Sequence, residues 1–159
     1  ETMIPGQPIM LDALGQYRLN HGDLGRSAVI GEPSREIRTR NRAMAAGRAR
    51  AFEMIKPGVT GSALIEAVLE TIRGEGFGDF LLVVPHSIGL EHTDHPMPIG
   101  LDTPESKGEL VFRENMTINV DMPYHELGWG AMHLEDTIVV TADGCDALTS
   151  QNTELFVAA

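Results

Sequence analysis

Five residues carry the chemistry this sequence can offer: Asp12, Asp23, His86, Asp121 and Glu135. Asp12 follows Ile9-Met10-Leu11 and Asp121 follows Ile118-Asn119-Val120, so both carboxylates end stretches of strand character in apolar company. Glu135 lies between Leu134 and the run Ile138-Val139-Val140, and its neighbour Asp136 should face the other side of the same strand. His86 comes just after the apolar run Phe80-Leu81-Leu82-Val83-Val84. Charged carboxylates are rarely buried unless they are paired or bound to a metal. Singly, each acid is better explained as a turn or hydrogen-bonding residue, and His86 as a satisfied core histidine or a surface residue. Together, two acidic pairs and a histidine make a mixed oxygen and nitrogen donor set. Such a set suits Mn, Co, Fe or Zn more than a soft-metal site, and strands hold ligands firmly enough for the purpose.

The remaining reactive groups read more plainly. Cys145 is the only cysteine, so it forms no disulfide within the chain, and no histidine is placed to activate it; a structural role in a reducing, cytoplasmic compartment follows. Trp129, between two glycines, reads as packing against a sheet. Arg38, Arg40, Arg42, Arg48 and Arg50 read as a solvated helix face paired with nearby acids. Acidic residues outnumber basic ones 23 to 12, and the formal charge of −11 argues against binding nucleic acid or an anionic membrane surface. The chain has no apolar run long enough to span a bilayer and no secretory pattern at its start.

The elements that position the donors can be read from pattern. Ile9 to Asp12 and Ser27 to Ile30 predict short strands, with Asn20-His21-Gly22 as a bend between them. Ser34 caps a long helix rich in Ala, Arg, Met and Glu that runs to Ile55 and is stopped by Lys56-Pro57-Gly58. Thr60 or Ser62 caps a second helix, whose Leu64, Ile65, Val68, Leu69 and Ile72 fall at helical spacing. Phe80–Val84, Met116–Asp121 and His133–Thr141 predict three further strands, with Asp143-Gly144 as a turn. Strands, two helices, then strands imply an α+β domain whose antiparallel sheet is covered by helices. A weak internal echo runs through it. Asp12 and Asp23 are eleven residues apart, Asp121 and Glu135 fourteen, and each pair is flanked by strands, as two halves related by a pseudo-two-fold axis would be.

These residues also resemble a known family. Leu11-Asp12 through His21-Gly22-Asp23 is similar to the paired-aspartate hairpin of the pita-bread metallohydrolases, which include methionine aminopeptidase, aminopeptidase P, prolidase and the metal-free creatinase. Gly31-Glu32-Pro33-Ser34, Ile55-Lys56-Pro57-Gly58, His86-Ser87-Ile88-Gly89, Asp121-Met122-Pro123 and His133-Leu134-Glu135-Asp136-Thr137 resemble later motifs of that family, in the same order and over nearly the whole chain.

The resemblance implies a pita-bread fold and two divalent metal ions. Asp12 would hold one ion, Asp23 and Glu135 would bridge the two, and His86 and Asp121 would complete the other. It gives catalytic parts to His92, Asp121 and Glu135, with His92 (or His95) facing the substrate carbonyl. The implied reaction is hydrolysis of an amide bond near the N-terminus of a small peptide, of the Xaa-Pro dipeptidase or aminopeptidase type, in a homodimer. It also implies that residues 1–159 are part of a catalytic domain whose earlier helices precede Asp12. Three positions depart from the pattern. Asp121 stands where the peptidases carry Glu, His92 comes one residue early, and His133 stands where Arg is common. Those departures admit two other readings: a creatinase-like hydrolase or a lyase acting on a small carboxylated substrate, and an inactive binding module.

Overall fold

The structure, a computed structural model, describes residues 2–80, 82–94, 110–149 and 152–159. His95 lies outside the described residues.

Two long hairpins make the centre of the sheet. Strands β1 (Pro8–Tyr17) and β2 (Asn20–Ile30) form the first, and β4 (Thr117–Glu126) and β5 (Gly130–Val140) the second. With β3 (Val84–Ser87) at one side the order is β1-β2-β5-β4-β3, so β2 and β5 meet antiparallel in the middle. The order β1-β2-β5-β4 reads the same from either hairpin, as the pseudo-two-fold echo requires. The short strands β6 (Cys145–Ala147) and β7 (Phe156–Ala158) pair with β5 and β2. The sheet is antiparallel as expected, apart from the short β7, which pairs parallel with β2.

Both hairpins are longer than their sequence signals. The first turns at Arg18-Leu19, with φ of 50° and 68°, and not at Asn20-His21-Gly22, which continue into β2. Positive φ at both central residues matches the twist of paired strands, although the usual Asn-Gly signal is missing. The second hairpin turns through Leu127-Gly128-Trp129, with Gly128 at φ 84°. The Phe80–Val84 strand is a correction: β3 begins only at Val84, where it first meets Asp121 of β4. Phe80 and Val83 are buried in the core as irregular chain, while Leu82 is half-exposed.

The two helices form as their caps predict. Ser34 accepts a hydrogen bond from the Ile37 amide at the start of α1 (Arg35–Met54), and Thr60 does the same for Ala63 at the start of α2 (Gly61–Gly74). Gly58, at φ 90°, turns the chain between them. Ile37, Met44 and Ala51 of α1 and Leu64, Val68 and Ile72 of α2 pack on Val120 and Met122 of β4 and on Met132, Leu134 and Ile138 of β5 in one core. At Gly47 a side chain would meet Ile72 at 2.7 Å, so the glycine sets how closely the helices approach.

Two arginines turn inward, against the expectation of a solvated face. Arg40 is 8% exposed; it bonds Glu36 and Glu126, and its guanidinium lies 3.8 Å from the Trp129 ring centroid. Arg48 reaches the buried carboxylate of Asp136. The physical reason is that each finds a partner on a distant strand, which helix periodicity does not reveal. Trp129 packs as expected. Cys145 hydrogen-bonds the Phe52 carbonyl, and burial pushes its thiol pKa up, away from nucleophilic use.

Candidate metal centre

The sheet register gathers the predicted donors. Asp12 of β1 pairs with Gly25 of β2, Gly25 with Glu135 of β5, and Glu135 with Asp121 of β4. A single row across four strands therefore carries three of the five residues. Asp23, two residues before Gly25, and His86 of β3 flank it. The donor atoms fall into two groups, each within 4.8 Å: Asp23, His86 and Glu135, and Asp12, His133 and Glu135. Glu135 belongs to both. Four of the five predicted residues enter a group. Asp121 enters neither, because its Oδ1 accepts a hydrogen bond from His133 Nε2 at 2.6 Å. Asp is shorter than Glu by one carbon–carbon bond, about 1.5 Å, which leaves the carboxylate beside the imidazole.

Local chemistry explains how these side chains are held. Glu135 is 2% exposed and receives the Asn119 amide at 2.8 Å, with His86 Nε2 3.5 Å away. His86 Nδ1 lies 3.2 Å from the Ser87 carbonyl, so Nδ1–H donates there and Nε2 faces the carboxylate. Thr137 donates to Asn119 Oδ1 at 2.6 Å, fixing the amide so that its NH2 faces Glu135. His133 lies in a cradle that only glycine provides: a Cβ on Gly25 would come within 2.6 Å of its ring. Asn119, Thr137 and Gly25 are not among the site residues expected from sequence. Alternation offers a signal for the first two, since they sit two residues from Asp121 and Glu135 on the same strand face; Gly25 offers none without the register.

The seam between β2 and β5 is stitched by side chains. Beyond the Gly25–Glu135 pair, the Ser27 hydroxyl accepts from the His133 amide at 2.8 Å and donates to the His133 carbonyl at 2.9 Å. Thr137 also lies within hydrogen-bonding distance of the Asp23 carbonyl, at 2.9 Å. Behind the site, Arg26 bonds the carbonyls of Gly25 and Glu135 and pairs with buried Asp136 at 2.7 Å.

Crowded carboxylates leave their mark on proton affinity. Burial raises the Glu135 pKa, and Asp121 and Asp23 add to the rise against an opposing bond from His86. Burial also raises Asp12, helped by Asp23. For His86 and His133 burial works against the charged form, but Glu135 and Asp121 respectively outweigh it, and both pKa values lie above 6.5. Two buried atoms, Asp23 Oδ1 and His133 Nδ1, have no hydrogen-bond partner among the described residues. Clustered negative charge, orphaned donors and mixed O/N chemistry all fit a divalent cation.

A pH dependence follows for the ion-free protein. The folded histidines hold their protons more tightly than the unfolded chain does, so they stabilise the fold fully below about pH 6.5 and lose that effect as pH rises through their folded values. Asp12 and Glu135 act with the same sign at lower pH. The melting temperature of chelator-treated protein should therefore fall as pH rises above about 6.5. A rise over that range would contradict the assignment.

His92, expected to face substrate, places its Nε2 2.6 Å from Asp23 Oδ2. It is the half-exposed member of the histidine cluster, with its ring 5.7 Å from that of His86. A cavity of about 560 Å3 opens beside Asp23, lined among others by His21, Gly89, Thr117 and Thr137. Among the described residues no helix is long and apolar enough to cross a membrane.

Comparison with known proteins agrees with this arrangement. The Xaa-Pro dipeptidase of Pyrococcus furiosus is 28% identical over 152 residues, covering 95% of this chain and 42% of that protein. The X-Pro aminopeptidase of Thermotoga maritima MSB8 superposes with a TM-score of 0.84 at 28% identity, over 97% of this chain and 42% of that one. The prolidase of Pyrococcus horikoshii OT3 superposes with a TM-score of 0.82 at 26% identity, over 96% and 42%. The fold is thus the pita-bread fold of the prolidases, and the chain spans about two fifths of the length of these relatives. The metallopeptidase family M24 model matches residues 1–142, a stretch that takes in both hairpins and both helices, and the chain belongs to that family.

Proposed function

We propose that residues 1–159 form the metal-holding part of a catalytic domain that hydrolyses the amide bond near the N-terminus of a small peptide, as an Xaa-Pro dipeptidase or aminopeptidase does. The observation that carries this reading is the pair of donor groups sharing Glu135. Asp12, Asp23, His86 and Glu135 would hold two divalent ions, with Asp121 beside them. When bound, such ions supply an activated water and polarise the carbonyl under attack. Mn, Co, Fe and Zn all suit the donor set.

The chain's own side chains have definite tasks in this scheme. Asn119 keeps the Glu135 carboxylate turned into the centre. His92, half-exposed and held to Asp23 through Nε2, would face the oxygen that gains charge during attack. The cavity beside Asp23 falls in the range of small-molecule sites, about 300–1,000 Å3. The net charge of −11 disfavours nucleic acid as partner.

The Asp121–His133 bond favours a second reading, in which the same fold serves a non-peptidase reaction on a small carboxylated substrate. Titration of the metal-stripped intact protein with Mn2+ or Co2+, followed by assay on Gly-Pro-type dipeptides, separates the two. We expect tight binding and turnover, both lost in Asp23→Ala. Tight binding without dipeptide hydrolysis would favour the second reading. Unchanged affinity in Asp23→Ala would remove the metal assignment itself.

A further inference from the structure

The loop that carries His92 also fixes the residue beside it. After β3 the chain turns back on itself, and the Asp94 amide donates to the Ser87 carbonyl at 2.8 Å, closing a bridge between the two. The turn is tight, since a Cβ on Gly89 would lie 3.0 Å from Asp94 Oδ2. The Gly89 carbonyl accepts from the His21 amide at 2.7 Å, which ties the loop to β2, the strand that carries Asp23. Thr93 stands next to the bridge, and its hydroxyl oxygen lies 3.2 Å from His92 Nδ1. The other side of the ring decides the direction of that bond. His92 Nε2 meets Asp23 Oδ2 at 2.6 Å, and since a carboxylate only accepts, Nε2 carries a proton. In the neutral imidazole Nδ1 is then an acceptor, and the Thr93 hydroxyl can rotate to donate to it.

We propose that Thr93 is the positioning residue of His92: its hydroxyl donates to Nδ1, so the ring is pinned at both nitrogens and presents its N–H through Nε2. The part this gives Thr93 in turnover rests on the reading of His92 above. Burial alone does not hold this imidazole, because its side chain is 45% exposed. A ring held at one nitrogen can still swing about that contact, and a second bond removes the freedom. A donor to developing charge must be kept within about 10–20° of its working direction, which is the task of such supporting bonds. The sequence bears on the same point. His92 comes one residue earlier than the family pattern has it, so position 93, where that pattern places a histidine, supplies a hydroxyl to the displaced ring.

The rival account is that Thr93 serves only the loop. Nitrogen NMR of the intact, ion-free protein with labelled histidines separates the two. The His92 signals, assigned by their loss in His92→Gln, should show a proton on Nε2 and a hydrogen-bonded acceptor at Nδ1 in the neutral ring. In Thr93→Val, which keeps the shape of the side chain, the Nδ1 resonance should move to that of a free acceptor; in Thr93→Ser it should return. With Co2+ and a Gly-Pro-type dipeptide, Thr93→Val should lower kcat by about 3–10-fold, the worth of one neutral hydrogen bond, and leave KM and Co2+ affinity as they were. Thr93→Ser should restore the rate. An Nδ1 resonance unmoved by Thr93→Val, or a neutral ring protonated on Nδ1 in the unsubstituted protein, overturns the inference. So does a fall in kcat that Thr93→Ser shares, because the hydroxyl is then not its cause, and so does a kcat that Thr93→Val leaves unchanged. Absence of dipeptide turnover in the unsubstituted protein removes the proposed function instead, while the nitrogen signals still decide whether Thr93 holds the ring.

Discussion

Glu135→Gln in the intact protein is expected to abolish uptake of Mn2+ or Co2+ at both positions and to lower dipeptide turnover by at least about 10³-fold, ~4 kcal/mol of barrier. Glu135 is the only residue common to the two donor groups, so one substitution removes charge from both. The amide keeps the shape of the side chain and can still accept from Asn119, so the fold should survive. It cannot match a carboxylate as a shared anionic ligand. Because burial and neighbouring acids already raise the Glu135 pKa, the uncharged side chain should leave the ion-free protein no less stable than before. Metal content and kcat/KM measured on the same preparation check the claim. A variant that retained both ions and a tenth of the activity would refute it.

Asp136→Ala should be the most damaging single change to stability, costing about 3–5 kcal/mol. Asp136 is buried on the helix side of β5 and accepts from Arg26, Arg48 and Thr149. Arg26 is buried as well, so removing the carboxylate takes away the counter-charge it meets at 2.7 Å. At a chain of this size the loss corresponds to a fall of about 6–20 °C in melting temperature. The effect should reach the metal centre, because Arg26 also bonds the carbonyls of Gly25 and Glu135 at 2.7 and 2.6 Å. Thermal denaturation of the variant, with and without Co2+, measures both effects; a loss under about 1 kcal/mol would show the pair to be no stronger than a surface one.

Much of this architecture is legible in the amino-acid sequence, and the reasons differ by element. The helices are plain because caps, stop signals and periodicity are local: Ser34, Thr60 and Lys56-Pro57-Gly58 each act within a turn. Asp12, Asp121 and Glu135 stand out because a charge among strand residues is anomalous. What escapes is everything decided by a distant partner. Nothing near Arg26, Arg40 or Arg48 tells that Asp136 and Glu126 will meet them. The Arg18-Leu19 turn lacks the usual residues, because pairing along the hairpin imposes its geometry. Asp121 stands out as a possible donor in the same way, but its hydrogen bond with His133, twelve residues along on the paired strand, does not. Gly25 is invisible in the sequence, since its role is to lack a side chain beneath a ring on another strand.

The side-chain seam between β2 and β5 bears on the order in which the molecule comes together. Each hairpin is closed by its own turn and a continuous ladder, so each can form from neighbours in sequence. The seam joins segments more than a hundred residues apart, and it does so through the Gly25–Glu135 pair and the Ser27 hydroxyl, which bonds across it only once both hairpins are in place. Neither hairpin holds a complete donor group: Asp12 and Asp23 sit on one, His133 and Glu135 on the other. A half-folded chain therefore offers no assembled site to a passing cation, and metal loading becomes a signal that folding has finished.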